Sequence, residues 1–170
     1  MSTTSLKETI YKQATLHFKN EEYSQASEKY RSLLPYLDEK NMWHAEVLGN
    51  FTISLKALGN FSEAEATALK RISWYEIQGE NESNNSIIIA RISLCEIYWA
   101  QEMYQQALDV MLPSNIKNSE APCLVYNFIA QCYVKLSEPL LAKSYAHKAL
   151  DAANNERQKE NIRNVFKNLL

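Results

Sequence analysis

Four small residues recur along the chain at near-regular distances: Ala26, Ala64, Ala107 and Ala142, with intervals of 38, 43 and 35 residues. Twelve positions before each of them stands another small residue, Ala14, Thr52, Cys95 or Ala130. Two helices cross closely where both present small side chains, so the double series predicts a succession of tightly packed helix pairs. Nine positions before the anchors lie His17, Leu55, Tyr98 and Tyr133, mostly large, which would interlock beside the close crossing. Three positions before the first three anchors come Tyr23, Phe61 and Tyr104; the fourth has Pro139, suited to the first turn of a helix, where its missing N–H has no intrahelical partner. The clearest copy is Ala121–Asn155, two short amphipathic helices joined by a tight turn at Leu136–Pro139.

Composition agrees with that pattern. A chain of 170 residues, 46% apolar and 22% charged, suits one folded domain with a core of its own. Three glycines and four prolines are too few for the many tight turns of a β fold. A net charge of −2 and a pI near 6.0 give no basic field to hold nucleic acid or an anionic membrane. The most basic segment, Arg157–Lys167, includes Glu160 and follows Glu156, as a solvated helix face does. The N-terminus lacks an apolar signal core, and no run approaches the ~20 apolar residues of a membrane span. Cys95, Cys123 and Cys132 are odd in number and lack CxxC spacing, as expected of small core residues in a reducing compartment. The expected location is the cytoplasm.

Caps and breakers set the boundaries. Gly59 is a natural helix stop, and Ser62 with Glu65 reads as a capping box opening the next helix, which continues to about Gln78. Gly79–Ser86 is polar and turn-rich and is expected to be the main mobile loop. Pro35 should end or kink the helix begun at Tyr23, and Pro113 should stop the short helix Tyr104–Leu112 before a second loop, Leu112–Ala121. In the last segment Ile162, Val165, Phe166 and Leu169 share one helix face. That helix either covers the open face of the last hairpin or docks onto another chain. The expected layout is a single domain, 1–170, with helix pairs at about 5–38, 42–78, 86–112 and 121–153 and a capping helix at 156–169.

The pattern resembles tetratricopeptide repeats. The fourth hairpin is the best match, through Tyr126, Ile129, Ala130, Tyr133, Ala142, Ala146, Ala149 and Leu150. The first matches at Ile10, Ala14, Tyr23, Ala26, Tyr30 and Leu33, the second at Leu48, Phe51, Gly59, Phe61, Ala64 and Ala68. Departures are Arg71 in place of a small residue, Arg91 in a large apolar place, Ser114 in a place usually Ala, and no closing proline. Two intervals, 38 and 43, clearly exceed the family's ~34 residues, as in its longer-repeat relatives. The resemblance implies an all-α fold, a right-handed superhelix of antiparallel helix pairs (an α-solenoid) with a C-terminal capping helix.

It also implies a concave groove lined by the first helix of each pair. Aligned on the repeat, the groove positions are Tyr11 and Thr15, Asn50 and Ile53, Ser93 and Glu96, Trp99, and Asn127 and Gln131. This is a mostly neutral, amide-bearing surface. Its Asn and Gln side chains either pair with a peptide backbone or are simply solvated. Trp99 either faces the groove or packs on a neighbouring helix, whereas Trp43 and Trp74 are expected to pack between successive pairs. Some family members grip the C-terminal carboxylate of heat-shock chaperones with lysine, arginine and asparagine. Here the corresponding places hold Tyr11, Thr15, Asn50, Ile89 and Ser93, of which only Asn50 fits, so no such clamp is expected.

No chemistry emerges. Three scattered glycines exclude a nucleotide fingerprint; His17, His44 and His147 lack partners at ligand spacing; Cys123 and Cys132 lack further ligands. The expectation is a protein that is not an enzyme and takes no cofactor or metal: a scaffold binding a peptide or partner protein in its groove. The alternative is a chaperone or peptide-responsive regulator of the kind found in bacterial secretion or signalling systems. Homodimerisation through the apolar stripe Leu6, Ile10 and Ala14 of the first helix is a further option.

Overall fold

The computed structural model describes residues 3–38, 42–79, 85–114 and 116–170, and among these it contains helices and turns but no strand. Two compact units are present, Met1–Glu80 and Asn81–Leu170. The N-terminal unit holds two helical hairpins, α1 (Thr3–Lys19) with α2 (Tyr23–Leu33) and α3 (Met42–Ala57) with α4 (Phe61–Ile77). The C-terminal unit holds α5 (Asn85–Ala100) with α6 (Tyr104–Met111), α7 (Pro122–Lys135) with α8 (Pro139–Asp151), and a final helix α9 (Glu156–Val165). Most of the expected loop Gly79–Ser86 lies outside the described residues.

All eight small residues of the double series are buried: Ala14, Ala26, Thr52, Ala64, Cys95, Ala107, Ala130 and Ala142. The twelve-residue pairing is seen directly in the third hairpin, where the Cys95 thiol donates to the Ala107 carbonyl at 3.2 Å. Large residues fill the spaces alongside, with Tyr30, Leu33, Leu48 and Leu55 in the N-terminal unit and Leu94, Leu108, Met111 and Ile129 in the C-terminal unit. Each such side chain contributes about 1.5–3 kcal/mol on leaving water.

The four hairpin turns are copies of one another. Each ends its first helix with one residue in the left-handed region: Glu21 (φ 59°), Gly59 (φ 74°), Glu102 (φ 60°) and Ser137 (φ 61°). The next residue's N–H reaches five back, from Glu22 to His17, Asn60 to Leu55, Met103 to Tyr98 and Glu138 to Tyr133, all at 2.9 Å. This closes the orphan carbonyls at the helix end in the Schellman manner. The left-handed residue stands five before the small anchor in every hairpin, so turn and close crossing form one unit.

Some sequence expectations need correcting. No capping box forms at Ser62–Glu65: α4 starts at Phe61 with Asn60 as its N-cap, because the Gly59 turn fixes the entry. A reciprocal cap forms instead at α9, where the Asn155 side chain accepts from the Gln158 N–H at 2.9 Å and the Gln158 side chain accepts from the Asn154 N–H at 2.7 Å. Ile162 of α9 and Phe166 just after it are buried against Cys123, Ala130, Ala146 and Ala149, but Val165 is 55% exposed. As expected, Pro35 converts the end of α2 to a 3₁₀ turn, Leu34–Tyr36, and Pro139 occupies the first turn of α8.

The residues that depart from the repeat pattern fit one another. The Arg91 guanidinium, buried in α5, donates to the Ser114 hydroxyl at 2.9 Å, so the two anomalies of the third hairpin satisfy each other. The Arg71 guanidinium lies over Gly49 of α3, where a Cβ would stand 2.8 Å from its central carbon, and faces the Tyr75 ring. Gly49 thus makes room for a long side chain where the pattern has a small one.

Candidate partner-binding surface

Of the expected surface residues, Tyr11 and Asn50 belong to the N-terminal unit, and Glu96, Trp99, Asn127 and Gln131 to the C-terminal unit.

In the N-terminal unit, Tyr11 and Thr15 are one turn apart on α1, and Glu46 and Asn50 one turn apart on α3, so each helix turns two polar groups to one side. The Tyr11 hydroxyl donates to the Glu46 carboxylate. Its ring stacks on Trp43 with centroids 5.1 Å apart and planes 10° from parallel. Trp43 thereby bridges successive hairpins, as expected. Burial, followed by the bond to Glu46, pushes the Tyr11 phenol up to about 12, so it remains a hydrogen-bond donor at neutral pH. Beneath this pair the side chain of Tyr30, from α2, is fully buried. Burial raises its phenol, while Thr15 and Asn50 lie close enough to ease ionisation. Neither reaches hydrogen-bonding geometry: the hydroxyls of Tyr30 and Thr15 have no partner among the described residues. Buried hydroxyls are normally paired, and an unpaired one costs about 1–3 kcal/mol. Tyr11, Thr15, Tyr30, Glu46 and Asn50 therefore form one polar cluster beside an aromatic stack.

Glu46 was missing from the expected surface. It precedes Asn50 by four residues and so shares its helix face, a spacing visible in the sequence. Its carboxylate makes this face acidic, whereas the aligned positions alone describe a neutral one.

In the C-terminal unit Glu96 is exposed on α5, with Trp99 three residues on. The Trp99 ring meets Tyr104 of α6 edge-on at 5.0 Å and is tilted over Phe128 of α7 at 5.6 Å. Its chief contacts are thus helix packing, with part of the ring left accessible. On α7, Asn127 and Gln131 are half-buried one turn apart. The Asn127 carbonyl oxygen is buried without a partner among the described residues. Asn127 lines a cleft of about 130 Å³ between α7 and α9, with Leu124, Gln158, Asn161 and Val165. The last helix therefore borders this face of α7.

Among the described residues, no cluster of metal-ligating groups is assembled elsewhere. The three thiols are free and buried, and burial pushes Cys132 up to about 12 and Cys95 and Cys123 upward, away from thiolate chemistry at neutral pH. Among the described residues no group of three or more His, Cys, Asp or Glu is placed to hold a metal ion, and no helix is long and apolar enough to cross a membrane.

No protein-family model and no curated protein matches this sequence. Solved structures do match its fold. The TPR-like repeats of a putative kinesin light chain from Podosopora anserina superimpose with a TM-score of 0.74 at 11% identity, covering 99% of this chain and 90% of that one. The fold is that of tetratricopeptide repeats. The MamA RS-1 ArsTM double mutant shares the TPR fold with a TM-score of 0.73 at 13% identity, covering 95% of this chain and 84% of that one. A tetratricopeptide repeat protein from Parabacteroides merdae ATCC 43184 gives 0.70 at 14% identity, covering 95% and 61%. At such low identities the likeness is one of fold, and any function has to come from the side chains on its surfaces.

Proposed function

We propose that this chain is a non-catalytic protein-interaction scaffold that binds a peptide or partner protein on the faces of its first helices, α1 and α3 in one unit and α5 and α7 in the other. We place it in the cytoplasm, where its three thiols stay reduced. The observation that carries the reading is the set of buried, unpartnered polar atoms beside those faces: Thr15 Oγ1, Tyr30 OH and Asn127 Oδ1. A stable fold rarely leaves such groups unpaired, and a bound polypeptide offers backbone donors and acceptors to complete them.

The test is affinity capture from native lysate with the wild-type chain and the Asn50→Ala and Asn127→Ala variants. The expected result is a partner recovered at fixed stoichiometry, with binding weakened about tenfold or more in at least one variant, as for loss of a hydrogen bond at a buried contact. Thermal melts establish that the variants are folded. Equal recovery by all three proteins contradicts this assignment of the surface. Trp99→Ala is a poorer probe, because its contacts with Tyr104 and Phe128 tie binding to stability.

A further inference from the structure

We propose that the cluster on α1–α3 is a receptor for a positively charged side chain of the partner polypeptide, arginine in particular. This rests on the reading of the first-helix faces as the binding surface and specifies the chemistry of what binds there.

Three independent features converge. The first is charge: the Glu46 side chain is exposed, takes a hydrogen bond from Tyr11, and forms no ion pair with a described Lys or Arg. A carboxylate with one hydrogen bond filled keeps further acceptor positions, enough for a guanidinium. The second is the aromatic stack. Trp43 lies one turn before Glu46 on α3 and remains 39% exposed while stacked on Tyr11. A cation beside the carboxylate therefore meets an indole ring, and planar guanidinium stacks on such rings more readily than ammonium does. The third is the fully buried Tyr30 side chain, whose hydroxyl is near Thr15, Asn50 and Glu46 without a hydrogen-bond partner. The oxygens of Tyr30 and Thr15 lack donors, and Asn50, half-buried beside them, offers an acceptor within reach of an incoming cation's N–H groups. The site is thus the electrostatic inverse of a carboxylate clamp: one anion, an aromatic wall and neutral acceptors.

The experiment titrates the full chain with three end-capped pentapeptides that differ only at the central residue, arginine, lysine or glutamine, flanked by alanine and glycine. Tryptophan fluorescence and two-dimensional NMR follow binding, with Trp43→Phe identifying the responding ring. The arginine peptide is expected to bind at least about tenfold more tightly than the glutamine peptide, with lysine between them, and to weaken as salt rises. Glu46→Gln keeps an acceptor for Tyr11 and removes only the charge, and is expected to reduce arginine-peptide affinity about tenfold. Glu160→Gln, which removes an exposed carboxylate of the C-terminal unit, should leave it unchanged. Equal binding of arginine and glutamine peptides, or full affinity in Glu46→Gln, overturns the proposal. So does the absence of binding by all three peptides, and in that case the capture experiment with Asn50→Ala still decides separately whether the surface binds a partner.

Discussion

Phe166→Ala is expected to destabilise the C-terminal unit by about 3–5 kcal/mol, the usual result of emptying a buried aromatic site. Phe166 is 2% exposed and packs with Ile162 against Cys123, Ala130, Ala146 and Ala149. It follows the last turn of α9, so its loss would detach the helix that covers the final hairpin. A domain of this size has about 5–15 kcal/mol of stability in total, so the change should be plain in chemical denaturation. Val165→Ala, one residue away but exposed, serves as the control and should stay within about 0.5 kcal/mol of wild type. A loss below about 1 kcal/mol in Phe166→Ala would mean that α9 is not part of the core and would favour its other role, docking onto another chain.

The hairpin turns carry the second large effect, in the opposite direction. Glu21, Glu102 and Ser137 hold left-handed backbone with side chains that disfavour it, while Gly59 does the same work without a Cβ. The left-handed conformation costs an ordinary residue about 1–2 kcal/mol, and glycine gives back about 0.5–1 kcal/mol through the freedom it adds to the unfolded chain. Each replacement by glycine should therefore gain about 0.5–1 kcal/mol. The triple variant Glu21→Gly, Glu102→Gly and Ser137→Gly should gain about 2 kcal/mol, or roughly 4–8 °C in Tm. Gly59→Ala should lose stability. A triple variant that melts below wild type would show that these turns do not hold the left-handed form in solution.

These turns also show what the sequence makes legible. The small residues betray the hairpins because a close helix crossing tolerates nothing else, and their spacing survives when most of the repeat signature does not. The left-handed residues are invisible at three of the four turns, because glutamate and serine advertise nothing about φ. The same logic misplaces the cap of α4. Ser62 and Glu65 have the right spacing, but the preceding turn already fixes where the helix starts. Arg91 and Ser114 look like two separate defects in one hairpin until the fold brings them within 2.9 Å. Pairings of that kind join residues far apart in sequence, and no local pattern encodes them.

For the surface, alignment to the repeat finds Tyr11 and Asn50 but passes over Glu46 and Tyr30. The repeat pattern ranks positions by how they pack, and neither of these departs from it visibly. What matters is that Tyr30 brings its hydroxyl up beneath Thr15 and Asn50, a three-helix arrangement that appears only on folding. Trp99 is the converse case: its aligned position leaves it either facing the groove or packing on a neighbour, and Tyr104 and Phe128 turn most of the ring toward packing.

The central claim is that the first helices of the hairpins carry the partner. Hydrogen–deuterium exchange of the captured complex against the free chain tests it most directly, because amide protection reports which segments the partner covers. The account predicts slowed exchange in peptides from α1 and α3, residues 3–19 and 42–57, with α2 and α4 unchanged on their outer faces. Protection confined to α2 and α4, with α1 and α3 exchanging as in the free chain, would contradict it.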